Sequence, residues 1–134
     1  DVFQCKCSNE YVDGDRTLKF TFSIRGNEVV TPFQLSPTPM SGQRVFDLRR
    51  MNLSGVDMSW ANLERADMTG ANLGGANLSW ANLSWANLGG ANLLWANLER
   101  ADMTGANLEG AKLSWANLEG AKLTEVVNKN WPPR

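Results

Sequence analysis

The sequence predicts an all-β chain whose residues 46–125 wind into a parallel β-solenoid. Three observations carry that expectation. Leu or Met returns every five residues from Leu48 to Leu123, through Leu53, Met58, Leu63, Met68, Leu73, Leu78, Leu83, Leu88, Leu93, Leu98, Met103, Leu108, Leu113 and Leu118. Two positions before each stand Phe46, Met51 and Val56, then Ala from Ala61 to Ala121. Between the two apolar positions lies Asn or Asp, with Lys112 and Lys122 as the exceptions.

A period of five does not suit an α-helix, in which successive leucines would advance by about 140° and scatter around the axis. Asn in nearly every unit and recurrent Gly disfavour helix as well. A flat strand fails for another reason. Its side chains alternate with a period of two, so an odd repeat would flip the leucine face at every unit. The pattern therefore requires a bend once per unit. Leu and the Ala two places before it point inward on one short side, and the next two residues turn the corner. Four sides close a coil of twenty residues, giving coils 46–65, 66–85, 86–105 and 106–125. The period alone leaves three or four sides open. At a strand spacing of about 4.8 Å, four coils make a column on the order of 20 Å long.

Written as A(D/N)LXX, the units read ADMTG, ANLGG, ANLSW, ANLER and AKLSW, and they resemble the pentapeptide-repeat family over 46–125. The resemblance implies a right-handed quadrilateral parallel β-helix with the central Leu and preceding Ala inside. It also implies that the flanking and corner residues face out. Burying one Leu in such a column contributes roughly 1.5–3 kcal/mol, and a large residue at Ala76 would overpack it. The Asn column is placed to bond nearby turn backbone. Gly recurs at the second corner position, where tight turns need positive φ.

Residues 1–45 read as a β-rich capping or accessory segment containing a β-hairpin, and 126–134 as a short C-terminal cap or tail. Leu18, Phe20, Phe22 and Ile24 alternate with polar residues, 25–28 supplies a turn, and Val30, Phe33 and Leu35 return along a partner strand. Pro32 points to an edge or a break, and Pro37, Pro39 and Gly42 mark a link into the solenoid. An open solenoid end exposes apolar side chains and unpaired strand edges, which the N-terminal segment is placed to cover. At the other end, Val126, Val127 and Trp131 are placed over the last coil, and Pro132 and Pro133 stop regular structure. Cys5 and Cys7, one residue apart, are ill placed for a mutual disulfide and read as free or intermolecularly paired thiols near a loose end.

Composition narrows function. Apolar residues at 43% and charged residues at 20% fit a globular chain. A net charge of −1 argues against general nucleic-acid or anionic-membrane binding. No apolar run is long enough for a transmembrane helix, and no signal-peptide pattern opens the sequence. The start at Asp1 reads as a fragment or a processed form. With no His anywhere, His-dependent triads and zinc sites are excluded. Glu64, Asp67, Glu99 and Asp102 belong to two copies of WANLERADMTGANL that fall on different sides of the coil, so they build no shared pocket. Glu64–Arg65 and Glu99–Arg100 read as solvated pairs. No catalytic, cofactor-binding or metal-ligating residue is expected, and the chain reads as a non-enzyme without a cofactor.

Tryptophan is the unusual feature. Trp60, Trp80, Trp85, Trp95 and Trp115 all hold the outward second corner position. Counting places Trp60 above Trp80 on one edge, Trp95 above Trp115 on the opposite corners, and Trp85 on a third edge. Leu94 adds apolar area beside Trp95. These six residues form a candidate protein-contact surface. The expected function is a non-enzymatic scaffold for protein–protein interaction, as an appended domain of a larger protein, with an unidentified protein or a second copy as partner. One alternative, implied by the resemblance, is a DNA mimic that binds DNA gyrase. It needs rows of carboxylates, whereas 46–125 carry nine acidic residues against six basic ones, a sum of −3. Another alternative is a carbohydrate-binding surface using the exposed Trp residues. Base stacking would call for a positive groove, which the sequence lacks.

Overall fold

The computed structural model describes residues 3–24, 27–28, 33–40 and 43–128. Arg25, Gly26, Val30, Pro32, Gly42, Trp131, Pro132 and Pro133, read above as parts of a turn, a link and a tail, lie outside them. Its regular elements are strands and isolated bridges.

From Phe46 onward each unit repeats one set of bonds. Leu48 donates its N–H to the Asp67 carbonyl at 2.8 Å, Asp67 donates to Phe46 at 2.9 Å, and Arg50 donates to Thr69 at 2.9 Å. Parallel bridges join Asp47 to Asp67, Asn52 to Asn72, Asp57 to Asn77 and Asn62 to Asn82, each pair twenty residues apart. Four units therefore complete one turn of the coil. Residues twenty apart lie one above another on the same wall, or on the same corner edge. At the corner the chain folds back, and the next Ala donates to the preceding Leu, as Ala76 does to Leu73 at 3.0 Å. The second corner residue has positive φ at every unit from Arg50 to Glu125.

The Asn or Asp before each Leu stabilises this corner. Its Oδ1 accepts the N–H two residues on, at 3.0 Å both for Asn77 with Ser79 and for Asn97 with Glu99. Side-chain amides also bond down the wall, Asn92 to Asn72 and Asn107 to Asn87, each at 3.2 Å. Inside, the central residues from Leu48 to Leu108 and the alanines from Ala61 to Ala106 are buried, together with Phe46 and Val56. Burial thins at the far end. Leu113 is buried, but Leu118, Leu123 and Val126 are only partly so, because among the described residues no further coil lies beneath them.

Before the repeats, β1 (Phe3–Val12) and β2 (Asp15–Ile24) pair antiparallel along their full length, turning at Asp13 and Gly14. β3 (Asn27–Glu28) and β4 (Phe33–Leu35) pair with the other edge of β2. The return strand expected over 16–35 is thus present, with Leu18 opposite Leu35 and Phe20 opposite Phe33. The longer partner of β2 is nevertheless β1. The link is also more than a connector, since β5 (Thr38–Met40) and β6 (Gln43–Val45) form a two-stranded ribbon.

The loose-end reading of Cys5 and Cys7 is overturned. β1 lies on a solenoid wall. Lys6 bridges Asp57 in parallel, Cys7 donates its N–H to Asp57 at 2.6 Å, and Asp57 donates to Cys5 at 2.8 Å. Asn9 clamps the next wall, accepting the Asn62 N–H at 2.5 Å and donating to the Asn62 carbonyl at 3.3 Å. Cys7, Leu18 and Phe20 join Phe46 and Leu48 in one core cluster. Both thiols are free. Burial pushes the Cys7 thiol up to about 12, with the neighbouring Cys5 and Asp57 charges adding to the effect. Cys5, half-buried, is raised by the same cause.

Candidate functional site

The wall that carries Asp57, Asn77, Asn97 and Asn117 is the one bordered by tryptophan on both sides. Bridges join these four residues in succession. The chain enters the wall past Gly55, Gly75, Trp95 and Trp115 in successive coils. It leaves past Trp60, Trp80, Arg100 and Gly120. Each coil therefore places one indole on this wall, on the exit edge in the first two coils and on the entry edge in the next two. The two Trp pairs lie on neighbouring edges, not on opposite corners as the unit count suggested. Trp80 and Trp95 are three units apart, one short of a full turn, and that places them on either side of the same wall.

The rings pair within each edge. Trp60 and Trp80 stack with centroids 4.9 Å apart and planes 2° from parallel. Trp95 and Trp115 stack at 5.3 Å and 10°. Arg100, one coil below Trp80, sets its guanidinium 5.1 Å from the Trp80 ring and extends the first stack. The sequence reading had assigned Arg100 to a solvated pair with Glu99. Despite stacking, the indoles stay open, at 69% for Trp60, 43% for Trp80, 67% for Trp95 and 75% for Trp115. Leu94 is half-buried at the corner of Trp95. Trp85 is separate, on an edge that does not border this wall. Its ring lies over Gly105, where an added Cβ would collide with it.

These corners are costly places for tryptophan. Trp60, Trp80, Trp85, Trp95 and Trp115 have φ between 59° and 64°, in the left-handed region that costs a non-Gly residue roughly 1–2 kcal/mol. A stacked aromatic pair returns about 0.5–1.5 kcal/mol, less than the strain of its two members. Arg50, Arg65, Arg100 and Glu125 bear the same backbone conformation. Those side chains are long and charged, whereas exposed indoles also forgo hydrophobic burial.

A charged cluster lies on the wall of Asp47 and Asp67. Arg49 donates to both carboxylate oxygens of Asp47 at 2.8 Å and lies 3.8 Å from Asp67. The hydrogen bonds from Arg49 hold the Asp47 carboxyl down at about 2. With Arg50 and Thr69 this pair lines an open depression. Asp102 is lowered chiefly by the Thr104 hydroxyl. Glu64–Arg65 and Glu99–Arg100 stand on different edges. Among the described residues no three His, Cys, Asp or Glu are grouped to hold a metal ion, no buried side-chain N or O lacks a partner, and no helix is long and apolar enough to cross a membrane.

A family model described as pentapeptide repeats matches residues 47–79 and 76–114, in eight copies. No curated protein matches the chain significantly. Among solved structures, the chain is similar to a pentapeptide repeat protein of the Arabidopsis thaliana thylakoid lumen, at 32% identity over 66% of this chain and 61% of that one, with a TM-score of 0.62. It is also similar to HetL, a pentapeptide repeat protein involved in heterocyst differentiation regulation in Nostoc sp. strain PCC 7120, at 37% identity over 66% of this chain and 43% of that one, with a TM-score of 0.48. Rfr23 from the cyanobacterium Cyanothece 51142 is 36% identical over 69% of this chain and 68% of its own, with a TM-score of 0.45. The match thus spans less than two thirds of the length of the first two. The family match and the likeness to the Arabidopsis protein imply a right-handed β-helix for the repeats.

Proposed function

This chain is a member of the pentapeptide-repeat family, and on that premise we propose that it is a non-enzymatic scaffold whose Trp-edged wall docks a protein partner. The observation that carries this reading is the placement of four exposed indoles in left-handed corners around one wall. Strained residues that the local fold does not require point to a role outside the fold, and exposed Trp is the residue type most enriched at contact hot spots. The organisation that goes with it is a cap over 1–45, a repeat column over 46–125 and a short tail over 126–134. The shared core of Cys7, Leu18, Phe20, Phe46 and Leu48 supports the cap.

Protein contact is favoured over the two alternatives. Stacking a sugar needs an open aromatic face, and the two stacks close one face of every paired indole, with Arg100 covering a second at Trp80, so fewer faces than rings remain for a sugar. A DNA mimic needs unbroken acidic rows, whereas the column of Asp47 and Asp67 shares Arg49 and continues downward as Asn87 and Asn107. The paired substitution Trp80→Gly with Trp95→Gly tests the reading, since Gly already serves at seven other corners. The variant should keep its β circular-dichroism signature and lose association with any protein that the unaltered chain retains, a second copy included. Undiminished association with an intact fold refutes the proposal.

A further inference from the structure

We infer that the Trp-edged wall takes a second copy of this chain, packed face to face and antiparallel about a two-fold axis that crosses the wall perpendicular to the column. The inference rests on the docking role proposed above and names its partner. A self-complementary patch is what a two-fold dimer requires, because each surface must fit its own rotated image. The corner pattern has that property. Indoles fill the exit edge in the first two coils and the entry edge in the next two, and the remaining corners hold Gly55, Gly75, Arg100 and Gly120.

Rotation about the proposed axis sets the first coil of one copy against the fourth of the other. Trp115 then meets Gly55, Trp95 meets Gly75, Trp60 meets Gly120, and Trp80 meets Arg100. Trp95 and Trp115 thus face bare glycine corners, Trp60 faces Gly120 beneath the Arg100 side chain, and Trp80, already stacked on Trp60 and Arg100 of its own chain, faces the partner's Arg100 with its edge. Glycine leaves the needed room at Gly55 and Gly75, where nothing lies within 4 Å of the position an added Cβ would take. The first corner residues agree. Leu94 meets Gly74, and Glu99 and Glu119 meet Ser79 and Ser59. Down the middle, Asp57 meets Asn117 and Asn77 meets Asn97, pairs able to exchange amide hydrogen bonds without charge conflict.

A two-fold axis parallel to the column also sets rings against small corners. That arrangement places Asp57 on Asp57 and buries Glu99 against Leu94, a like-charge contact and an unpaired carboxylate on apolar surface. Charge therefore selects the antiparallel arrangement. The size of the patch fixes the strength to expect. With about 200 Å² for an indole side chain, exposures of 69, 43, 67 and 75% leave roughly 500 Å² of open ring per copy. Two copies then bring about 1,000 Å² of indole together, near the lower bound for specific interfaces, where reversible association in the micromolar range is expected.

Sedimentation equilibrium on the full chain tests this, with Trp95→Gly, Gly75→Glu and Trp95→Arg made singly and the last two also combined. The unaltered chain should show a monomer–dimer equilibrium, and each single change should weaken it about tenfold or more. Gly75→Glu with Trp95→Arg in one chain should recover dimerisation, because the antiparallel arrangement brings these positions together twice. Trp85→Gly, on an edge away from the wall, should leave the equilibrium unchanged. A chain that stays monomeric at several hundred micromolar overturns the inference, and so does a dimer weakened equally by Trp85→Gly. Failure of the combined variant to recover overturns the antiparallel pairing. A monomer whose capture of another protein still depends on Trp80 and Trp95 would retire self-association while leaving the scaffold reading in place.

Discussion

Leu88 lies at mid-column, wholly buried, one coil below Met68 and one above Leu108. Leu88→Ala removes three side-chain carbons, Cγ and both Cδ, a transfer loss of about 2.4 kcal/mol at about 0.8 kcal/mol for each. If the neighbouring layers do not collapse, a void of roughly 80 Å³ adds about 2 kcal/mol more. Collapse is resisted because wall bonds of 2.7–2.9 Å fix the spacing of the coils. The expected destabilisation is therefore about 4 kcal/mol or slightly more. Leu118, in the last units, is only partly buried, so Leu118→Ala loses less transfer energy and opens no closed void, for a cost of about 1 kcal/mol. Urea unfolding followed by circular dichroism measures both, with the slope in denaturant checked for constancy so that midpoints convert to stability. An equal cost at the two sites, or a cost below 1 kcal/mol at Leu88, would refute the layered core. The ordering matters more than either value, because solenoid stability is a chain of neighbour contacts that weakens toward an uncovered end.

Two further predictions concern titration. Asp47 is held at about 2, below its ordinary value of 3.8, so its contribution is present above 3.8 and lost as the pH falls towards 2. Asp47→Asn should lower the thermal midpoint slightly at pH 7, and the gap from the unaltered chain should close near pH 2; a gap constant with pH would contradict the pairing with Arg49. Cys7 has the opposite sign. Its thiol is raised from 9.0 to about 12, so burial favours the folded sheet below 9.0 and that support is lost as the pH climbs toward 12. A thiol reagent at pH 8 should label Cys5 before Cys7, and Cys7 only at the rate at which β1 leaves the wall. Rapid labelling of both would disprove the docking of β1.

The repeat was legible because every unit solves the same problem. Five residues with two inward apolar positions admit a cornered coil and little else, and the Asn at the intervening position matches the acceptor that each corner uses. The N-terminal strand was hidden for a physical reason. Its buried alternation runs through Cys5 and Cys7, small side chains that carry weak strand signal, and its partners are β2 and the distant Asp57. Arg100 escaped notice because its sequence neighbour Glu99 offered a ready ion pair, whereas its actual partner, Trp80, lies twenty residues earlier. The same count of twenty would have found it.

What fills a corner depends on what lies one coil below. The Arg50, Trp85 and Arg100 side chains each reach over a glycine, Gly70, Gly105 and Gly120, and at Gly105 and Gly120 an added Cβ would come closer than 3.0 Å to them. Those corners are satisfied within the chain: a long or flat group covers a bare turn, and Trp85 can be read as a shield and nothing more. Trp60 and Trp95 differ, because the corner beneath each holds another tryptophan. The rings cannot lie flat on a turn and stack instead, leaving more surface open than shielding requires. If protection of the backbone were the aim, one indole over one glycine would serve with half the strain. The doubled rings therefore mark the wall between them as the part of the column shaped for something outside it.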